Sequence, residues 1–146
     1  MLASDILPFP PLLHIPDGFL SVAISVICWA LTIAVVGVSL WRSGSALGGR
    51  QVPLMGVLAA FIFAAQMLNF TVAGGTSGHL IGGALAAILL GPWAAILTMT
   101  TVVSIQALVF QDGGLLAMGT NILNMAIIAP LVAYGVYRGV VAVAGD

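Results

Sequence analysis

The stretch Asn69-Phe-Thr-Val-Ala-Gly-Gly-Thr-Ser-Gly-His-Leu-Ile-Gly-Gly83 is a polar, glycine-dense segment that lies between two long apolar runs. Five of its fifteen residues are glycine, which allows backbone with positive φ and lets other chain segments approach closely. Thr76, Ser77 and His79 add hydrogen-bond donors and acceptors. Because polar loops at membrane depth are tolerated only where protein buries them or water reaches them, this stretch predicts a loop that packs inward and forms a site.

The composition is that of an integral membrane protein. Of the 146 residues, 62% are hydrophobic and 5% are charged, whereas soluble domains carry about 25% charged residues. The net charge of −1 gives no electrostatic basis for nucleic-acid binding. The sequence lacks lysine, which a Walker A loop needs, so no ATP site is expected in this chain. An ATP-driven process would therefore depend on the ATPase of another subunit.

The apolar runs predict a bundle of about five transmembrane helices. These runs are Phe19–Trp41, Leu54–Phe70, Leu80–Leu90, Trp93–Phe110 and Leu115–Val140. Leu80–Leu90 is too short to cross a hydrocarbon core of about 30 Å. The expected fold is an all-α integral membrane protein with one short helix and a glycine-rich outer loop that packs inward. Residues 1–13 are expected to form an N-terminal extension, and residues 14–146 a single transmembrane domain.

The arginines orient this bundle. With five helices and the N-terminus outside, Arg42, Arg50 and Arg138 all lie on the cytoplasmic side, as the positive-inside rule requires. The expected location is the cell membrane of a prokaryote, in a multi-pass arrangement.

Polar residues that are far apart in the sequence are expected to meet on the outer side: His14, Asp17, His79 and the turn Gln111–Gly114. Two histidines near one face suggest a metal site, because imidazole is a good ligand for nickel, cobalt, copper and zinc. The alternative is that each histidine is hydrogen-bonded to backbone at an interface, and spacing alone favours this alternative. Asp17 is expected to cap the helix that follows it.

The remaining polar side chains have simpler expected roles. Asp112 is expected to be a turn residue. Side-chain amides on or beside the apolar runs are expected to form hydrogen bonds between helices; these belong to Gln66, Asn69, Gln106, Asn121 and Asn124. Cys28 is the only cysteine, so neither a disulfide framework nor a thiolate metal site is expected.

Several motifs resemble those of one family and occur in the same order. They are His14-Ile-Pro-Asp-Gly-Phe-Leu20, the run Ala59–Phe70, Val72-Ala-Gly-Gly-Thr-Ser-Gly-His-Leu-Ile-Gly-Gly83, and Gln111-Asp-Gly-Gly-Leu-Leu116 with the following Asn121 and Asn124. The chain resembles the CbiM/NikM family from His14 to about Arg138. That family is the cobalt or nickel substrate-binding component of energy-coupling-factor (ECF) transporters.

The resemblance implies a metal site. In the family, a terminal amine, the next backbone amide nitrogen and the imidazole of that residue bind the ion, and a second histidine completes a roughly square-planar set. The corresponding histidines are His14 and His79, and Leu13 would supply the amine only if it were N-terminal. The residues expected to support these ligands are Thr76, Ser77, Asn69, Asp112, Asn121 and Asn124. Co²⁺ or Ni²⁺ would be the transported substrate, and the sequence does not distinguish the two.

The resemblance also implies partners: a coupling transmembrane subunit, two ATPase subunits and a small accessory membrane subunit. The sequence departs from the family pattern in two places. A twelve-residue extension and Leu13 precede His14, and the family continues beyond the equivalent of Arg138. Alternatives are therefore a non-transporting structural or assembly subunit, a degenerate fragment, or a membrane metalloenzyme or haem protein that uses both histidines.

Overall fold

The computed structural model describes residues 14–44, 48–68, 70–72 and 76–145, with backbone alone at residues 71, 72, 76 and 77. The helices of this described part are α1 (Val22–Gly44), α2 (Gln51–Gln66), α3 (Gly83–Leu90), α4 (Pro92–Val109) and α5 (Met118–Ala144). The strands β1 (Phe70–Val72) and β2 (Thr76–Gly78) pair antiparallel. The predicted helical membrane fold is confirmed, and the sequence did not indicate the small β-ribbon within the glycine-rich loop.

Helix lengths agree with membrane insertion. In the described part of the chain, α1, α4 and α5 are long and apolar enough to cross a membrane, and α2 is a shorter apolar helix. The eight-residue α3 is the predicted short element. It is followed by Gly91, which has a φ of 80°, and Pro92 opens α4. Glycine accommodates this positive φ, and proline is favoured in the first turn of a helix.

Helix α4 lies at the centre of the bundle and contacts each of the other helices. Half of its residues are buried, including Ile96, Met99, Val102 and Val103. The short helix α3 packs against α4 and α5 through Ala86 and Ala87, which are fully buried. Small side chains allow this close approach in a membrane, where packing rather than water exclusion holds helices together.

Helix α1 has the polarity expected of a lipid-facing helix. Its buried residues are Ser25, Thr32, Ser39 and Ser43, whereas many of its large apolar side chains are exposed. The Thr32 hydroxyl donates to the Gly119 carbonyl of α5 at 2.8 Å. The sequence therefore carried an inward-facing stripe of small polar residues that a search for apolar runs does not detect.

Helix α5 contains a π-helical turn at Leu123–Ile128. Pro130 follows this turn and is buried. Because proline lacks an N–H and clashes with the preceding helical turn, a wider turn at this point relieves the constraint; π-turns are a recognised way of doing so. The ring packs beside Gly83, where a Cβ would lie 3.1 Å from Pro130 Cδ.

The two ends of the bundle differ in charge. Arg42 lies in the last turn of α1, and Arg50 immediately precedes α2. Arg138 lies in α5 about 25 Å beyond Asn121, and Asn121 contacts the segment that carries His14. The three arginines therefore lie at the end opposite the histidines.

The contact between α1 and α5 yields a stability prediction. A Cβ at Gly119 would lie 2.7 Å from Trp29 Cγ and 2.9 Å from Trp29 Cα, and the backbone of α1 cannot yield as a flexible side chain can. We expect Gly119→Ala to destabilise the protein by about 1–3 kcal/mol. The matched control is Gly135→Ala on the same helix, where no atom lies within 4 Å. Thermal unfolding in one detergent compares the two, and equal midpoints would contradict this packing.

Candidate metal-binding site

The segment that carries His14 crosses one end of the bundle and is held by α5. The Asn121 side chain accepts from the Ile15 N–H and donates to the Ile15 carbonyl, both at 3.1 Å. The N–H of Gly114 donates to the same carbonyl at 3.0 Å. Three hydrogen bonds to one backbone unit position the residue next to His14. The prediction that Asn121 forms a hydrogen bond between helices is therefore wrong. Its partner is the backbone of Ile15, which lies outside the helices.

The carboxylate of Asp17 holds the chain that enters α5. It accepts from the N–H groups of Leu115 and Ala117, each at 3.0 Å. These residues directly precede α5, so Asp17 satisfies donors at the start of that helix. The prediction that Asp17 caps α1 is wrong. The residue that caps the start of α1 is Ser21, whose hydroxyl accepts a hydrogen bond from the N–H of Ile24 at 3.4 Å.

Two glycines form a close-fitting seat for this segment. Gly113 has a φ of 104°, and a Cβ there would lie 2.7 Å from His14 Cβ and 3.2 Å from Asn121 Nδ2. A Cβ at Gly114 would overlap the carboxylate and backbone nitrogen of Asp17. The sequence indicated only a turn at these positions. The tertiary structure shows why glycine is needed: Gly113 has a positive φ and lies against the side chains of His14 and Asn121, and Gly114 lies against the backbone and carboxylate of Asp17.

His14 is buried, with 5% of its surface exposed. Its Nδ1 lies 3.2 Å from Asp112 Oδ2, within the distance of an ion pair, and within the described residues neither ring nitrogen has a hydrogen-bond partner. Buried polar atoms are normally hydrogen-bonded. A buried imidazole whose nitrogens lack hydrogen bonds, with a carboxylate in contact with one of them, is suited to binding a cation.

His79 follows β2 and is half-buried. Its Nδ1 lies 3.0 Å from the Leu80 carbonyl. A carbonyl oxygen can only accept, so this contact favours the tautomer in which Nδ1 carries the proton and Nε2 keeps its lone pair. The ring centroids of His79 and His14 are 6.3 Å apart. With metal–nitrogen bonds of about 2 Å, this separation is near the upper limit at which one ion contacts both rings.

A buried pair of glutamines supports both loops. Gln106 Nε2 donates to Gln66 Oε1 at 2.8 Å, and Gln66 Nε2 donates to the Ile81 carbonyl at 2.6 Å, two residues beyond His79. The backbone carbonyl of Gln106 accepts from the Asp112 N–H at 3.0 Å. The predicted hydrogen bonding between helices is confirmed for these two glutamines, and the structure shows in addition that they anchor the segments carrying His79 and Asp112.

The other candidate residues divide into two groups. Asn124 is exposed on the π-helical turn, so the structure does not bring it to the buried His14. Thr76 and Ser77 lie in β2, but their side chains lie outside the described part of the chain, as do Leu13 and Asn69 entirely.

Comparison with known proteins agrees with this architecture. Residues 14–145 match the family model for CbiM, described as the cobalt uptake substrate-specific transmembrane region. The chain is 43% identical over 125 residues to a fused nickel transport protein NikMN of Rhodobacter capsulatus, covering 86% of this chain and 36% of that protein. It is 36% identical over 129 residues to the cobalt transport protein CbiM of Acetohalobium arabaticum, covering 86% and 51%.

A solved structure shows the same fold. The crystal structure of a truncated transition metal transporter superposes with a TM-score of 0.85 at 41% identity, covering 92% of this chain and 63% of that chain. The chain thus spans less than two thirds of these relatives. Because the family model covers nearly all of the chain, this protein belongs to the CbiM family of cobalt uptake transmembrane regions.

Proposed function

We propose that this chain is the membrane part that binds Co²⁺ or Ni²⁺ for uptake. The observation that carries the proposal is the pairing of two imidazoles at one end of the bundle: His14 is buried without hydrogen bonds to its ring nitrogens, and the His79 ring lies 6.3 Å away. Imidazole ligands favour these transition metals, whereas Mg²⁺ and Ca²⁺ prefer oxygen. The relatives named as cobalt and nickel transport proteins support the same class of substrate.

The electrostatics of this end also favour a cation. Asp112 contacts His14, and Asp17 lies against Gly114 in the same cluster. The three arginines lie at the opposite end of the bundle. Carboxylates beside a partly water-excluded site attract a divalent ion more strongly than they would in bulk water.

The proposed ligand set combines side chains with backbone. Within the described residues, no group of three His, Cys, Asp or Glu side chains is arranged to hold a metal ion. We therefore propose four nitrogen ligands: the imidazoles of His14 and His79 and the backbone nitrogens of residue 13 and His14. The nitrogen of residue 13 would bind as an amine where that residue is N-terminal. Thr76, Ser77 and Asn69 remain proposed supporting residues.

We propose that a coupling transmembrane subunit, two ATPase subunits and a small accessory membrane subunit complete an ECF-type transporter, because the chain lacks the lysine of a Walker A loop.

The N-terminus would face outward, since the arginine-bearing end then lies in the cytoplasm. The substitution Gly49→Cys, made in a chain that also carries Cys28→Ala, should resist labelling by an impermeant maleimide in intact cells. Ready labelling there would reverse the orientation.

Metal binding by the purified full chain tests the function. We expect one Ni²⁺ or Co²⁺ per chain by calorimetry and elemental analysis, and no binding of Mg²⁺ or Ca²⁺ at the same concentration. Failure of both the full chain and a chain that begins Met-His14 to bind either transition metal would favour the alternative of a structural or assembly subunit. A visible haem spectrum in the purified protein would favour a haem protein.

The Asn121 contact gives a second test within the site. Asn121→Ala removes both hydrogen bonds to Ile15, so His14 is held less firmly, and supporting contacts of this kind change metal affinity by about 10–100-fold. We expect weaker Ni²⁺ binding by at least tenfold on this scale. The matched control is Asn124→Ala, one helical turn away and exposed, which should leave affinity unchanged. Equal affinities of the two variants would contradict the positioning role of Asn121.

A further inference from the structure

The arginine-bearing end of the bundle contains a cavity far from the histidines. It has a volume of about 100 Å³ and lies between the end of α1, the start of α2 and the α3–α4 turn. Its polar wall includes Arg42, Ser43 and Gln51, and its apolar wall includes Leu90 and Pro92. The proposed metal site uses none of these residues.

Each residue of the polar wall of this cavity carries a hydrogen-bond donor. Ser43 is 4% exposed, and its hydroxyl is buried without a hydrogen-bond partner among the described residues. The Arg42 guanidinium lies 4.8 Å from the centroid of the Trp93 ring, and both residues line the cavity. A buried donor without an acceptor, next to a cation, indicates a site for a group that supplies acceptor oxygens.

Helix α4 adds to this preference. Its first turn lines the cavity through Pro92, Trp93 and Ala94, and no side chain caps it. The first N–H groups of a helix lack partners within it, and the helix dipole there favours negative charge. Within the described part of the chain, the carboxylates belong to Asp17 and Asp112, which lie at the other end. The cavity therefore favours an anion.

We propose that this cavity binds the phosphate of an anionic membrane phospholipid. Trp41, adjacent to Arg42, is 78% exposed, as expected for an aromatic residue at the level of lipid headgroups. Val38 is an exposed apolar side chain of α1 one helical turn before Arg42, and such side chains provide a surface for acyl chains. Basic pockets between helices on the cytoplasmic side bind anionic headgroups in this way.

Native mass spectrometry of the full chain in detergent tests the proposal, with phosphatidylglycerol, phosphatidylcholine or inorganic phosphate added separately. We expect retention of phosphatidylglycerol in preference to phosphatidylcholine, and a loss of about tenfold in Arg42→Gln and Ser43→Ala, since each removes a donor to a charged group. The matched control is Arg138→Gln, which removes the same charge from the same end outside the cavity and should retain the lipid.

Several results would overturn this assignment. Equal loss in Arg138→Gln and Arg42→Gln would mean that general charge attraction holds the lipid. Inorganic phosphate that protects the parent from thermal unfolding as well as phosphatidylglycerol does would assign the site to the free anion. If phosphatidylglycerol retention is equal in the parent and Ser43→Ala, and only assembly with partner subunits is impaired in Arg42→Gln, the cavity takes an acidic side chain of a partner protein. Ser43→Ala removes a single oxygen, so it tests the site even if Arg42→Gln does not fold.

Discussion

His79→Ala is expected to abolish retention of Co²⁺ and Ni²⁺ while leaving the fold intact. The ring is half-buried, and its hydrogen-bond contact is with the carbonyl of the adjacent Leu80, so its removal opens no cavity in the α4 core. Loss of a metal ligand should lower metal affinity by at least the factor of about 10–100 that is typical of losing a supporting contact. Unfolding without metal should change by less than about 0.5 kcal/mol, as for other surface substitutions.

Elemental analysis and thermal unfolding of the same preparation separate these two effects. Leu80→Ala is the matched control, because Leu80 is the next residue in the chain and 46% exposed; it should bind metal as the parent does. Equal metal content in His79→Ala and the parent would remove His79 from the site. His14→Ala should also lose metal, but it would leave a gap against Gly113 and is the less specific test.

The second large effect is expected at the N-terminus. A chain in which residues 1–13 are replaced by a single Met places a free amine next to His14. An amine has a pKa of about 8 and gives up its proton near neutral pH, whereas a peptide nitrogen is far less acidic. We expect this chain to bind Ni²⁺ or Co²⁺ at least about tenfold more tightly than a verified full-length chain, by analogy with the cost of losing a supporting contact.

A chain that begins Met-Leu12-Leu13-His14 is the matched control. It is two residues longer, its free amine lies too far from His14 to complete the same chelate, and the nitrogen of residue 13 is an amide, so binding should remain weak. Mass spectrometry of each intact chain must confirm its N-terminus. Because ligands release protons when they bind metal, affinity of the shorter chain should rise with pH until its amine is deprotonated. No gain over the control, with the amine verified, would refute the terminal-amine site.

Composition and periodicity were sufficient to identify the membrane class and the helices. Because few residues are charged, the chain cannot form a water-facing surface, and the breaks at glycine and proline place the short helix before Gly91. Two helices lie between His14 and His79, and two more lie between His79 and Asp112, so these three segments return to one end. These features depend on the local chain and on the bilayer, which constrain every sequence of this kind in the same way.

The partners of individual polar residues could not be predicted in this way. Asp17 caps α5 rather than α1, and Asn121 binds the backbone of Ile15 rather than a helix. A carboxylate or an amide satisfies any suitably placed donor equally well, so neighbours in the sequence do not identify its partner. The partner depends on which backbone groups remain unpaired after the helices have packed. Only the tertiary structure decides this, because Gly113 and Gly114 leave room for the segment from His14 to Asp17 to pack against them.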